Sequence, residues 1–454
     1  MRNRASLTLA LMLLTVGCGV DRTVEPTTTS GPRITTTATS QAPTTAVTSR
    51  PVTTETSMTS TTVAEPGLMW ARVPHDAAVF GDSSYDQGMH GLVIGGPGLV
   101  AVGSDESPGD YGYRDQDAAV WTSADGLAWA RVPHDEAVFG GSCPQNTYGL
   151  NCSQAMYGVV AGGPGLVAVG YEADSPGMEE NAAVWTSVDG LNWRRVPRDE
   201  AVFGGPDNQG MENVTAGGPG LVAVGYDESG GDRDAAVWTS VDGLTWRRVP
   251  HDEAIFGGAG WQAMESVAAG GPGLVAVGYD ASDRGAAVWT STDGVAWTPV
   301  PYDDAVFGSS RMESVAAAGP GLVAVGSDSS GGDPDGAVWT SADGLSWIRV
   351  PPDEAVFGGP GWEEMYGVAA AGLGVIAVGH ERSGDDWNAV VWTSADGLTW
   401  TRARSDGGDF GGWYDQGMYA VAAGGPGVVA VGYADGQGIY AETNAAVWVG
   451  SPSG

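Results

Sequence analysis

The chain has 454 residues and carries 55 acidic against 20 basic side chains, a net charge of −35, with no lysine at all. Such a surface excludes nucleic acid and anionic lipid headgroups as partners, because both need a basic face. Its 73 glycines break the apolar sequence into short runs, which favours strands and turns over long helices.

Residues 1–18 read as a secretion signal: Arg2 and Arg4, an apolar run from Leu7 to Val16, then Gly17-Cys18. The run is too short to span a bilayer as a mature helix. Leu14-Thr15-Val16-Gly17 before Cys18 resembles a bacterial lipobox. That resemblance implies an exported protein that begins at a lipid-modified Cys18. It would sit on the outer side of the cytoplasmic membrane or at the cell surface, touching the membrane only through this N-terminal lipid anchor. Residues 19–66, rich in Thr, Ser and Pro, cannot bury enough apolar surface to fold and are expected to form an extended tether. As a flexible coil this segment would reach roughly 40 Å. With Cys18 lipidated, only Cys143 and Cys152 remain, both in the loop insertion Gly140 to Gln154. In an exported protein they are expected to form a local disulfide that pins this loop.

Residues 67–454 are one unit repeated. Ala-Val-Trp or a close variant recurs at Trp121, Trp185, Trp238, Trp289, Trp339, Trp392 and Trp448. The spacing is about 50 residues, a propeller-like period. The unit from Met211 to Phe256 reads as four strands, a to d. Strands a and b flank the turn Gly217-Gly-Pro-Gly220, and an acidic loop runs from Tyr226 to Asp234. Strand c holds Ala235-Ala-Val-Trp238, and Ser240-Val-Asp-Gly243 turns into strand d, Leu244 to Val249. Strand a opens on Met89, Met156, Met211, Met264, Met312, Met365 and Met418; strand d carries Trp70, Trp129, Trp193, Trp246, Trp297, Trp347 and Trp400. The expected fold is all-β: a seven-bladed β-propeller of four-stranded blades. The domain starts on an isolated strand d (residues 67–74) and ends on an isolated strand c at Ala445 to Trp448. Their pairing would close the ring and remove two open sheet edges.

The c-to-d turns carry a family resemblance. Ser123-Ala-Asp-Gly-Leu-Ala-Trp129, Ser187-Val-Asp-Gly-Leu-Asn-Trp193 and Ser291-Thr-Asp-Gly-Val-Ala-Trp297 resemble the Asp-box, or bacterial neuraminidase repeat, of sialidase-type propellers, in a form with Asp and Gly adjacent. The resemblance implies a structural role for Asp125, Asp189, Asp242, Asp293, Asp343 and Asp396, bonding turn amides, with tryptophan packed between blades. It does not by itself imply sialidase activity.

In this connectivity the d-to-a and b-to-c loops share one face, and that face holds all the sequence variation, where binding residues usually reside. One residue after each strand-a methionine stand His90, Tyr157, Glu212, Glu265, Glu313, Tyr366 and Tyr419. Two residues before it stand Gln87, Gln154, Gln209, Gln262 and Gln416. Tyr85, Trp261, Trp362, Trp413 and Tyr414 lie just upstream. Aromatic faces beside amides and carboxylates are suited to a carbohydrate, whose apolar faces stack and whose hydroxyls point sideways. The alternative is that the repeat copies Gln-x-Met for packing. Asp-Glu-Ala-Val-Phe, recurring after strand d as at Asp199-Glu200, predicts a short helical turn with acids at its N-terminus. The b-to-c acids, Asp105, Asp227 and Asp328 among them, read as solvated surface. Clustered carboxylates leave calcium as a candidate ion, but no calcium-loop or zinc spacing appears and no cofactor is expected.

A sialidase, by resemblance, needs three arginines to clamp a carboxylate, a tyrosine–glutamate nucleophile pair and an acidic aspartate. Most arginines lie on outer strand d (Arg131, Arg195, Arg248, Arg349); Arg114, Arg233, Arg284, Arg311 and Arg382 could reach the variable face, and Tyr157 with Glu212 could mimic the pair. The leading expectation is a non-catalytic, monomeric, surface-tethered propeller that binds a glycan or protein. The alternatives are a sialidase-like glycoside hydrolase and an exported assembly or scaffold factor.

Overall fold

The chain divides into two units, Met1–Val63 and Ala64–Gly454. The structure, a computed structural model, describes residues 68–452 of the second unit, except 83–84, 109–113, 141–152, 174–178, 282–284, 360, 373, 385, 404–409, 412–414, 426 and 436–441. The expected signal, tether, lipid anchor at Cys18 and Cys143–Cys152 bridge therefore lie outside the described residues.

Four-stranded antiparallel sheets repeat along the chain in the order a-b-c-d, as in a β-propeller. The repeat from Gln209 shows the design. Gln209–Gly217 pairs with Gly220–Asp227, which pairs with Asp234–Ser240, which pairs with the short strand Trp246–Arg248. Five sheets hold four strands each. The strands from Gln87–Gly95 to Trp193–Arg195 form one eight-stranded sheet, because a single parallel pairing, Gln116 with Ser153, joins two four-stranded sets. The a strands adjoin in succession, and Gln416–Gly424 also adjoins Gln87–Gly95. Strand Leu68–Arg72 pairs antiparallel with Thr443–Pro452, in register from Leu68↔Pro452 to Arg72↔Trp448, as the sequence predicts. The Val73 amide extends that ladder to the Val447 carbonyl, at 2.8 Å.

The core lies between neighbouring sheets. One cluster joins Val167 and Val169 of one sheet to Met211, Leu221, Trp238 and Trp246 of the next, with Phe203 above them. Phe203 comes from the predicted helical turn, Glu200–Phe203, whose N-cap Asp199 accepts from the Ala201 amide at 3.1 Å. The buried Trp238 indole donates to the Val202 carbonyl of that turn at 2.7 Å. This locks loop to sheet and explains why the motif recurs.

The c-to-d turns are equally fixed. Asp242 Oδ1 accepts from the Leu244 and Thr245 amides at 2.9 and 2.7 Å, and Ser240 Oγ accepts from the Gly243 amide at 2.9 Å. Trp246 Nε1 donates to the Gly243 carbonyl at 3.0 Å, and Gly243 takes a φ of 74°, which favours glycine. The amides hold the Asp242 carboxyl below its ordinary range. These aspartates are structural.

Candidate functional site

Each a strand breaks register immediately after its methionine, as between Met211 and Asn213 or Met264 and Ser266. The break is a β-bulge, which leaves one extra residue unpaired and re-aims its side chain. The methionine stays fully buried between sheets, and the bulged residue turns to the other side. His90, Tyr157, Glu212, Glu265, Glu313, Tyr366 and Tyr419 thereby line one cavity of about 300 Å³. Backbone is tight beneath the large side chains. A Cβ on Gly91 would lie 2.6 Å from the Tyr157 carbonyl oxygen, and one on Gly158 2.9 Å from Asn213 Cα.

The lining is two-sided. Four rings form an arc: Tyr157 to His90 at 5.4 Å between centroids, His90 to Tyr419 at 5.3 Å, and Tyr419 to Tyr366 at 5.4 Å. Opposite stand three glutamates from successive a strands. Arg311 bridges two of them, Nη2 to Glu265 Oε1 and Nε to Glu313 Oε1, both at 2.6 Å. Glu212 makes no hydrogen bond or ion pair among the described residues. Burial, with Glu265 nearby, pushes the Glu212 carboxyl up to about 8; burial does the same to Glu313 despite Arg311. Burial pushes His90 down to about 4, so its imidazole is neutral at pH 7. Burial opposes the Arg311 charge, but Glu313 and Glu265 outweigh it and hold the guanidinium above its usual value.

Behind this ring stands a second row, from the residue after the strand-b glycine: Tyr171, Tyr226, Tyr279, His380 and Tyr433. Tyr171 packs on Tyr157 at 5.7 Å and Tyr433 on Tyr419 at 5.4 Å, while the Arg311 guanidinium lies 4.6 Å over Tyr279. Aromatic contact then continues outward: Tyr366 to His380 at 4.9 Å, His380 to Trp387 at 4.1 Å, and Trp387 to Trp362 at 6.2 Å. A second cavity of about 380 Å³ shares His90, Tyr157 and Tyr419 with the first and adds Gln87, Ser104, Gln116 and Tyr433.

The other predicted positions separate. Trp261 and Trp362 are exposed at the rim, 58% and 42%, outside the cavity. Trp261 has Arg233 at 5.6 Å over its ring, and Trp362 Nε1 donates to Asp333 at 3.1 Å. Tyr85 is half-buried and away from the lining; Trp413 and Tyr414 lie outside the described residues. Gln154, Gln209, Gln262 and Gln416 are buried and do not face the cavity. Two residues before a methionine is the methionine's own side of the strand, so these amides point into the packing. Gln209 braces loops there, donating to the Asp207 carbonyl at 2.6 Å and to Ser229 Oγ at 2.9 Å. The reading of Asp105, Asp227 and Asp328 as free surface acid is corrected too. They pair with Arg131, Arg248 and Arg349, whose guanidinium groups lie over the strand-c tryptophans.

Two shoulder clusters, Asp117–His134–Glu136 and Asp234–His251–Glu253, bring ligand-type atoms within 4.8 Å of one another. In the repeat between them Arg198 replaces histidine and donates to Asn181 at 3.0 Å and Glu200 at 2.7 Å. The same position therefore takes His or Arg, each beside the glutamate two residues on.

No protein-family model matches the sequence, and no curated protein sequence matches it. Among solved structures, the chain is similar to a protein of unknown function from Dyadobacter fermentans, at 12% identity over 84% of this chain and 99% of that one, with a TM-score of 0.45. It is also similar to Sqt1 from Chaetomium thermophilum, at 10% identity over 78% and 83% with a TM-score of 0.42. A family 117 glycoside hydrolase from the marine bacterium Zobellia galactanivorans matches at 10% identity over 52% and 75%, with a TM-score of 0.32. These likenesses are distant and assign no ligand or activity to this chain.

Proposed function

We propose that this is an exported, lipid-anchored, seven-bladed propeller of Asp-box type that binds a glycan or protein partner, without catalysis, through its variable face. Supporting the blade count and closure are the repeated four-stranded sets, the adjoining a strands, and the pairing of Leu68–Arg72 with Thr443–Pro452. Export and anchoring rest on residues 1–66 alone. The observation that carries the binding reading is the ring of bulged residues around one cavity, four aromatic and three acidic. Its volume suits a single sugar unit or a protruding side chain, and the aromatic track from Tyr366 to Trp362 offers stacking surface beyond it.

Two features weigh against sialidase chemistry. Among the described residues Arg311 is the arginine that reaches the ring carboxylates, and it is already committed to Glu265 and Glu313. Burial, together with neighbouring Tyr171 and Glu212, holds the Tyr157 hydroxyl well above its ordinary pKa, the opposite of an activated nucleophile. We read the protein as a monomer without a required cofactor; calcium in the loops and a scaffold role remain secondary readings. The test is a glycan array with the full chain, beside turnover of fluorogenic sialosides. Glycan binding that Tyr419→Ala and Tyr366→Ala abolish supports the reading. Sialoside turnover would replace it, and stable co-purification with one protein partner, with no glycan bound, would favour the scaffold.

A further inference from the structure

We propose that the axial cavity receives its ligand through a positively charged ammonium group, seated between the Tyr157–His90–Tyr419–Tyr366 arc and the Glu212 carboxylate. The proposal rests on reading that cavity as the ligand site.

Three observations carry it. Glu265 and Glu313 share Arg311, whereas Glu212 faces the cavity with neither a hydrogen bond nor an ion pair among the described residues. A neutral hydroxyl would satisfy one lone pair there; a cation would also balance the charge. Next, once ionised, the ring's three carboxylates outnumber the Arg311 guanidinium that sits among them, and a further cation, Arg233, is tied to Glu228 at 2.7 Å. With those carboxylates ionised, above about pH 8, a carboxylate or phosphate ligand would meet net repulsion, whereas a cation is attracted, helped by the −35 charge of the whole chain. Lastly, the opposite wall is four contiguous rings, whose π faces attract a desolvated cation. His90 belongs to that wall as a neutral ring, because burial disfavours its protonated form. The cavity, about 300 Å³, is the size of one head group with its first carbons.

Choline and its neutral isostere 3,3-dimethylbutan-1-ol test the charge with shape held constant. Calorimetric titration of the full chain is done above pH 8, where Glu212 is ionised. Choline should bind about tenfold or more tighter than the alcohol, and added salt should weaken it. Glu212→Gln should remove that preference, and so should Tyr419→Leu, a second route should one variant fold poorly. Equal binding of both probes, or no binding of choline, overturns the ammonium proposal. If a neutral glycan from the array still requires Tyr419 and Tyr366, the axial-site reading survives that failure. If no array glycan depends on the ring either, both fall.

Discussion

Replacing Glu212 by Gln should make the protein more stable at neutral pH, although the residue belongs to the candidate site. Folding moves this carboxyl from an ordinary 4.5 to about 8, through burial first and Glu265 second. Facing it are Glu265 and Glu313 as like charges, and Arg233 and Arg311 as partial relief. A carboxyl raised on folding retains protons that the unfolded chain releases, so stability falls as pH rises between the two values. The wild-type penalty is thus absent below about 4.5, grows through neutrality and is complete above about 8. Each pH unit in that window is worth on the order of 1 kcal/mol, which sets a ceiling of roughly a few kcal/mol at pH 7. Water in the cavity and the two guanidinium groups reduce it, leaving an expected gain of about 1–2 kcal/mol. For a unit the size of Ala64–Gly454 the unfolding entropy is about 0.8 kcal/mol per degree, so the melting temperature should rise by about 1–3 °C. Scanning calorimetry of wild type and Glu212→Gln from pH 4 to 9 is the assay. Curves that meet near pH 4.5 and diverge toward pH 8 are expected. A variant no more stable at pH 8 than wild type would refute the buried-charge account and, with it, the view that this carboxylate is kept for a ligand at a cost in stability.

Further perturbations probe the frame around the site. Deleting Leu68–Val73 strips five register partners from Thr443–Pro452; the trimmed chain should melt lower and lose amide protection at Val447 to Gly450, and unchanged melting would sink the terminal pairing. Arg248→Met or Asp227→Asn breaks an ion pair whose side chains are only 19% and 15% exposed; each should cost about 1–3 kcal/mol in urea unfolding, with a favourable coupling energy in the double-mutant cycle. Gly158→Ala pushes a methyl to 2.9 Å from Asn213 Cα and should cost about 1–3 kcal/mol. Ala420→Gly, at the equivalent position where a Cβ already fits, should cost less, and equal effects would argue against close sheet contact at Gly158.

The repeat period made the four-stranded sets and the pairing of the termini legible, because a strand d without its blade at one end and a strand c at the other leave little choice. The ring was legible too, since its offset from each methionine is constant. What misled was grouping the glutamines with it. Gln209 and Met211 share a side of the strand, and the same alternation puts Glu212 on the other, at the bulge. The sequence places Tyr226 in an acidic loop, which hides the second aromatic row; the ladder runs on to Asp227 and so makes Tyr226 part of the strand. Asp227 likewise looked like solvent-facing acid, and only the folded register brings Arg248 to it. Trp387 carried no periodic signal, because its b-to-c connection is unlike the others.

The bulge has a consequence for how such a molecule diversifies. Since methionine alone fills the interior slot, the adjoining position can be exchanged among acid, phenol and imidazole without re-fitting the interior, as the present mixture already illustrates. Selection can therefore retune recognition one codon at a time around the ring without re-fitting the packed interior.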